Sequence, residues 1–327
     1  MKLFKKIVIG NIILLFVVLI IVEFANYQTY KARWGHVMDK HVSNFDNPEK
    51  AKELFAIKYK VPTYPKYEEW INPIKNKIYK GSNTGAIVII GCSYAYGMGL
   101  DENQTLAYRL NKLTNRTTYN RGVSGTGPQM VYRQLSDKNF KKEVPEAEYI
   151  IYVFLPEHIT RQFQKLYSCY TTDICDTYQI KNGKLVKNKE PFWFLYNLFT
   201  IKNTIIDIYR DQRSAEERNK GCPLFFKTME ETYKSIKNNY PNAKFVILKV
   251  PDHAMCQKDY VSGSGLHEFN EKQIKKFEDM GIIYLDAEKL AGHQLRDIKK
   301  YRVADENHPN ERFWNEVIPG LVKTLKL

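Results

Sequence analysis

The sequence predicts a doubly wound α/β fold with a mainly parallel, five-stranded sheet. Three observations carry this. Short, apolar, β-branched runs recur along the chain, stretches of helical length separate them, and chemistry-bearing residues cluster just after the runs. Open parallel sheets place their sites at those carboxyl ends.

The first run is "AIVIIG" (86–91), wholly apolar, as a strand buried on both faces requires. "TLAYRLNKL" (105–113) reads as a helix and "TTYNRG" (117–122) as the second strand. "PQMVYRQLSDKNF" (128–140) opens on proline, a first-turn residue, and reads as a helix. "EYIIYVFL" (148–155) is the third strand. A helix over 223–240 precedes the fourth, "AKFVILKV" (243–250). A helix ending near Met280 leads to "GIIYLD" (281–286), and "ERFWNEVIPGLVKTL" closes the chain as an amphipathic helix that Pro319 would kink. Residues 156–222 break this rhythm. They hold a hairpin, "TYQIKNGKLV", turning at Asn182-Gly183, and an aromatic run, "PFWFLYNLF", too short to span a bilayer.

The start of the chain concerns location. Lys2, Lys5 and Lys6 precede an apolar run from Ile7 to Val22, continued by Phe24 and Ala25. That approaches the ~20 residues that cross a hydrocarbon core. No small-x-small site follows cleanly, which favours an uncleaved anchor over a cleaved signal peptide. The lysines stay in the cytoplasm by the positive-inside tendency. The expected organisation is a cytoplasmic N-terminus (1–6), a transmembrane anchor (7–26), a membrane-proximal stem (27–84) and an α/β domain (85–327) with an insertion at about 156–222. The chain would then be single-pass in the inner membrane, its domain periplasmic or extracellular.

The formal net charge is +14, with lysines scattered in short groups. No RNP-type strand, zinc finger or recognition helix accompanies them, so no nucleic-acid partner is expected. Two readings of the charge stay open: a basic surface facing anionic headgroups or acidic glycans, and a lysine-rich composition with solvated lysines throughout. The five cysteines suit an exported domain that can keep disulfides. Cys169 and Cys175 in "CYTTDIC" are the expected pair, Cys222 and Cys256 a weaker one. No CxxC or HxxxH pair suggests zinc, and no GxGxxG or P-loop suggests a nucleotide, so no cofactor is expected.

Two motifs carry chemistry. "GCSYAYGMGL" (91–100) sets Ser93 on the lip of the first strand, and "YRVADENHPNERFW" sets Asp305 three residues before His308. In one tight turn a carboxylate so spaced reaches the imidazole Nδ1–H and leaves Nε2 free to accept a proton. Pro309 keeps His308 out of the helix that follows. Alone, the Asp and Asn of this stretch also read as plain helix caps. A serine needs such a base. "YNRGVSGTGPQ" adds glycines whose backbone approaches a substrate closely, and the N–H groups of Gly125 and Ser93 are the natural oxyanion donors. Asp252 and His253 read as a strand-end turn, and His267 and His293 as surface residues.

"GCSYAYGMGL" resembles the first block, G-D-S-x-x-x-G, of the SGNH/GDSL hydrolase superfamily. "NRGVSGTG" resembles its second block and "DENHPN" its last, D-x-x-H-P. The blocks stand in the family's order and span 86–320. The resemblance implies a flavodoxin-like α/β/α sandwich and acyl transfer through an acyl-serine, with Ser93 as nucleophile, Gly125 as oxyanion donor, Asp305 as orienting acid and His308 as base. Cys92 replaces the aspartate that commonly precedes the serine. The third block, G-x-N-D, is replaced by "FLPEHITR". There His158 stands in for the asparagine as oxyanion donor, since an ionised Glu157 would repel the charge, and Arg161 binds a substrate's negative group. The alternative is that His158 and Arg161 only tie down the insertion. The expected activity is that of a membrane-anchored serine esterase acting on acylated envelope glycans or small esters. The alternatives are an O-acyltransferase on envelope glycans, or a non-catalytic glycan-binding or assembly protein of the same fold.

Overall fold

A computed structural model of the chain describes residues 17–18, 20–21, 77–123, 126–162, 178–187, 215–251, 269–303 and 308–327. Apart from residues 17–21, these belong to one compact unit, 61–188 with 213–327. The expected anchor lies almost wholly outside the described residues. Its described members, Val17, Val18, Ile20 and Ile21, are helical and exposed. No helix among the described residues is long and apolar enough to cross a membrane.

The unit is built on a six-stranded sheet. Its strands are β1 (Ile78–Tyr79), β2 (Asn83–Gly91), β3 (Arg116–Gly122), β4 (Tyr149–Phe154), β7 (Lys244–Lys249) and β8 (Ile283–Asp286). A separate hairpin is formed by β5 (Tyr178–Lys181) and β6 (Lys184–Lys187). The sheet order is β1-β3-β2-β4-β7-β8, and only the β1–β3 pair is antiparallel. Numbered among themselves, the five parallel strands run 2-1-3-4-5, the flavodoxin-like order. The order reverses between β2 and β4, so the switch point lies where the "GCS" loop leaves the sheet.

Pleating divides the strand side chains between two layers. Ile87, Ile89, Ile151, Val246 and Leu248 face one apolar cluster, covered by helix α10 (Glu311–Leu325) through Phe313, Trp314, Val317 and Leu321. Val88, Ile90, Ile150, Tyr152 and Ile247 face the other, covered by helix α6 (Ala215–Asn239) through Phe225, Met229 and Ile236. Two buried faces explain why these runs are apolar throughout.

The remaining helices follow local signals. Short α1 (Ser93–Tyr96) follows β2 directly. In α2 (Leu106–Thr114) the Thr105 hydroxyl accepts from the Tyr108 N–H as N-cap, and Asn115 ends the helix in the left-handed region. Helix α3 (Pro128–Ser136) starts at its proline but stops short of the expected residue 140. The Asp137 carboxylate accepts the Asn139 N–H at 2.9 Å, a local turn that competes with the helix, and α4 (Phe140–Glu143) restarts it. Short α5 (His158–Arg161) follows β4. Helix α7 (Glu271–Asp279) carries a capping box from Asn270 to Gln273, and α8 (Ala287–Ala291) and α9 (Ile298–Tyr301) lead to α10.

Three expectations need correction. The sheet starts before residue 85: β1 pairs with Tyr119 and Thr118, and β2 begins at Asn83. A two-residue edge strand has no period of its own, and its register comes from β3. Helix α6 begins at Ala215, not at Pro223, which lies inside it. Good helix formers in "AEERNKGC" carry the helix up to the proline. The hairpin turns at Asn182 and Gly183 as expected, both at positive φ (50° and 72°), as a type I′ turn needs. Cys222 is a free thiol, so the weaker bridge is not made. Cys169, Cys175 and Cys256 lie outside the described residues.

Candidate active site

Ser93 and His308 meet. Ser93 Oγ lies 2.8 Å from His308 Nε2, although 215 residues separate them in sequence. Ser93 is the first residue of α1 and only 6% exposed. The turn that presents it depends on two glycines. Gly91 has φ 144°, and a Cβ there would lie 2.7 Å from the Val153 carbonyl oxygen. A Cβ on Gly122, at the end of β3, would lie 2.3 Å from the Tyr96 nitrogen, so only glycine lets α1 sit on that strand.

His308 is fixed by its flanks. The Val303 N–H donates to the His308 carbonyl at 2.8 Å, and the Asn310 N–H donates to the Tyr301 carbonyl at 3.0 Å. Between them Arg302 and Pro309 form an antiparallel bridge. Asn310 caps α10: its Oδ1 accepts the Phe313 N–H at 3.0 Å, while its Nδ2 donates to the Lys300 and Arg302 carbonyls. The Tyr94 ring packs against the imidazole, with centroids 5.4 Å apart. Asp305 lies outside the described residues, as do Asp252, His253 and His267. His293 is exposed, 3.5 Å from Glu316.

Gly125 also lies outside the described residues, but its neighbours are held firmly. The Val123 N–H donates to the Gly91 carbonyl at 2.8 Å. The Thr126 hydroxyl donates to the Val123 carbonyl at 2.6 Å, and the Thr126 carbonyl accepts from Arg161 Nη1 at 3.2 Å.

His158 and Arg161 are both buried, in packing and bracing contacts. His158 is 0% exposed. Its ring stacks on Tyr152 and meets Phe154 edge-on, both in the α6-side core. Nδ1 accepts the Leu155 N–H at 3.4 Å and lies 2.7 Å from the Tyr152 hydroxyl. These two donors leave the proton on Nε2, which has no hydrogen-bond partner. Burial, helped by the Arg161 guanidinium, holds His158 well below the usual imidazole range, so it is neutral. The ring has no solvent-facing edge, and its described contacts are those of packing. Arg161 is buried and engages the Thr126 carbonyl and, at 2.8 Å, the partly exposed Glu157 carboxylate. It braces the loop after β3.

Cys92 is fully buried beside this network. Burial pushes its thiol up, against smaller opposing effects from Arg161 and from hydrogen bonds to Tyr94 and Ser93. Sequence reasoning missed Tyr94, Arg302 and Thr126. Only their closeness to the motifs marked them. Among the described residues no group of His, Cys, Asp or Glu is placed to hold a metal.

No family model and no curated protein matches the chain. Solved structures resemble it distantly. A carbohydrate esterase family 2 enzyme with a carbohydrate-binding domain, from Corynascus thermopiles (Myceliophthora fergusii), matches at TM-score 0.39 and 12% identity over 82% of this chain and 69% of its own. An extracellular lipase from Streptomyces rimosus matches at 0.41 and 14%, over 73% and 99%. A phospholipase A1 from Streptomyces albidoflavus NA297 matches at 0.41 and 13%, over 74% and 99%. Overlaps this partial transfer no activity to the present chain.

Proposed function

We propose that the chain is a serine ester hydrolase working through an acyl-serine at Ser93. The observation that carries this is the 2.8 Å contact between Ser93 Oγ and His308 Nε2 at the carboxyl edge of the sheet, beside its switch point. In that geometry Nε2 takes the hydroxyl proton as Oγ attacks an ester carbonyl. The proton then passes to the leaving alcohol, and water activated by the same imidazole releases the acid. The N–H groups of Ser93 and Gly125 hold the oxyanion in this reading, and Asp305 orients the imidazole. The substrates are acyl esters of envelope glycans, reached by a domain that residues 7–26 anchor at the outer face of the inner membrane. A glycan hydroxyl replacing water would make the same acyl-enzyme a transferase.

The test is labelling of the full chain in detergent with a fluorophosphonate, alongside release of acetate from p-nitrophenyl acetate and acetylated glycans. Wild type should label and turn over. Ser93→Ala should do neither, and His308→Ala should lose on the order of 10⁴–10⁶ in rate. Unlabelled wild type rejects the acyl-serine, whatever the glycan result.

A further inference from the structure

We infer that Arg302 is a positioning residue, which locks the loop carrying His308 onto the turn carrying Ser93. The kinetic consequence rests on the ester-hydrolase reading; the geometry does not. Arg302 is buried and lies in the clasp that closes the His308 loop, its backbone bridged to Pro309. Its side chain leaves the clasp and touches three other parts of the fold. The guanidinium carbon lies 5.7 Å from the Tyr94 ring centroid and 5.4 Å from that of Phe313, and Nη2 donates to the Pro251 carbonyl at 2.8 Å. Tyr94 follows Ser93 in the chain and is the wall against which His308 packs. Phe313 lies in the first turn of α10, and Pro251 lies just past β7. One residue thus joins the loop of the base to the neighbour of the nucleophile, and fixes both to the end of the sheet.

The residue type fits the task. A guanidinium is flat, permanently charged and carries its donors in a rigid fork, so it stacks on rings while donating in its own plane. A lysine would keep the charge without the stacking plane. A methionine would fill the space and keep neither. Without the fork, Tyr94 loses its backing, and the Ser93–His308 contact loses the wall that sets its direction. A misplacement of about 1 Å in such a pair costs up to ~100-fold in rate.

The experiment compares wild type, Arg302→Met, Arg302→Lys and Phe313→Leu as full chains in detergent, each below its own melting temperature. It reads kcat and KM for p-nitrophenyl acetate and the imidazole ¹⁵N shifts of His308. Arg302→Met should lower kcat about 10–100-fold with KM little changed, and should move the Nε2 shift towards that of an imidazole without its serine. Arg302→Lys should recover part of both. Phe313→Leu, which thins the core beside Arg302 but leaves Arg302, Tyr94 and His308 unchanged, should lower the melting temperature and leave kcat within about twofold. Wild-type kcat and an unmoved Nε2 signal in Arg302→Met would overturn the inference. So would a kcat loss in Phe313→Leu matching that of Arg302→Met, because softening of the core would then explain both. Absence of turnover in wild type would count against the hydrolase alone, since the imidazole signal still decides the role of Arg302.

Discussion

Asn310 offers the sharpest test of how the loop carrying His308 is held. Its side chain makes three hydrogen bonds: Oδ1 accepts from Phe313, and Nδ2 donates to Lys300 and Arg302 at 2.9 and 3.1 Å. Removing an N-cap costs about 1 kcal/mol. Each donor bond to a carbonyl adds about 1 kcal/mol net. Asn310→Ala should therefore lose about 3 kcal/mol of stability. Asn310→Ser keeps a capping oxygen but lacks the amide donors, and should lose about 2 kcal/mol. Urea denaturation of wild type and both variants, followed by tyrosine and tryptophan fluorescence, gives the two differences at constant m-value. A serine variant as stable as wild type would show that the Nδ2 bonds contribute nothing, and the account of a pinned loop would fail. An alanine loss below about 0.5 kcal/mol would remove the cap as well.

Two further outcomes follow from the structure. Gly122→Ala should destabilise the fold by at least ~1–3 kcal/mol in the same urea assay, because the new methyl meets the backbone of Tyr96 and no flexible side chain can yield; an unchanged midpoint would mean that α1 does not sit on β3. His158 is neutral in the fold, whereas in the unfolded chain it takes up a proton near its ordinary value of about 6.5. The unfolded state thus binds more protons below that pH, so stability should fall as pH drops, by up to ~1.4 kcal/mol per unit. His158→Gln should flatten that slope between about pH 5 and 6.5, and an unaltered slope would assign it to other groups.

The sequence was informative where burial writes itself into composition. The central strands β2, β4 and β7 are apolar on both faces because helices cover both, and such runs are visible without a partner. Helix starts marked by Pro128 and Asn310 were legible for the same local reason: each satisfies or removes an orphan backbone donor. Strand β1 was not legible, since Ile78 and Tyr79 acquire their structure from β3. Ser93 and His308 were found by their places after a strand and before a helix. His158 follows a strand as expected from sequence, but sequence gives no sign that it packs inward. Chain position says which edge of the sheet a residue reaches, while its ring direction is set by what it packs on, here Tyr152 and Phe154. Arg302 was invisible because two of its partners, Tyr94 and Pro251, come from distant segments and the third, Phe313, lies beyond the His308 loop.

Cys92, before Ser93, can be understood in the same terms. Position 92 is fully enclosed, and its surroundings include Arg161, Glu157 and Tyr152. An aspartate there would have to be desolvated, and a buried carboxylate is tolerated only with a cation of its own. The nearby cation is Arg161, whose Nη2 already binds Glu157 and whose Nη1 holds the Thr126 carbonyl. A thiol makes no such demand, because burial keeps it protonated and it packs as a small apolar group. Arg161 is then left to the loop after β3. The thiol at position 92 is therefore consistent with the commitment of Arg161 to Glu157 and Thr126 and with the burial of His158 against Tyr152 and Phe154. Beside Ser93 the buried thiol is thus apolar and neutral, and Ser93 Oγ lies at hydrogen-bond length from the imidazole.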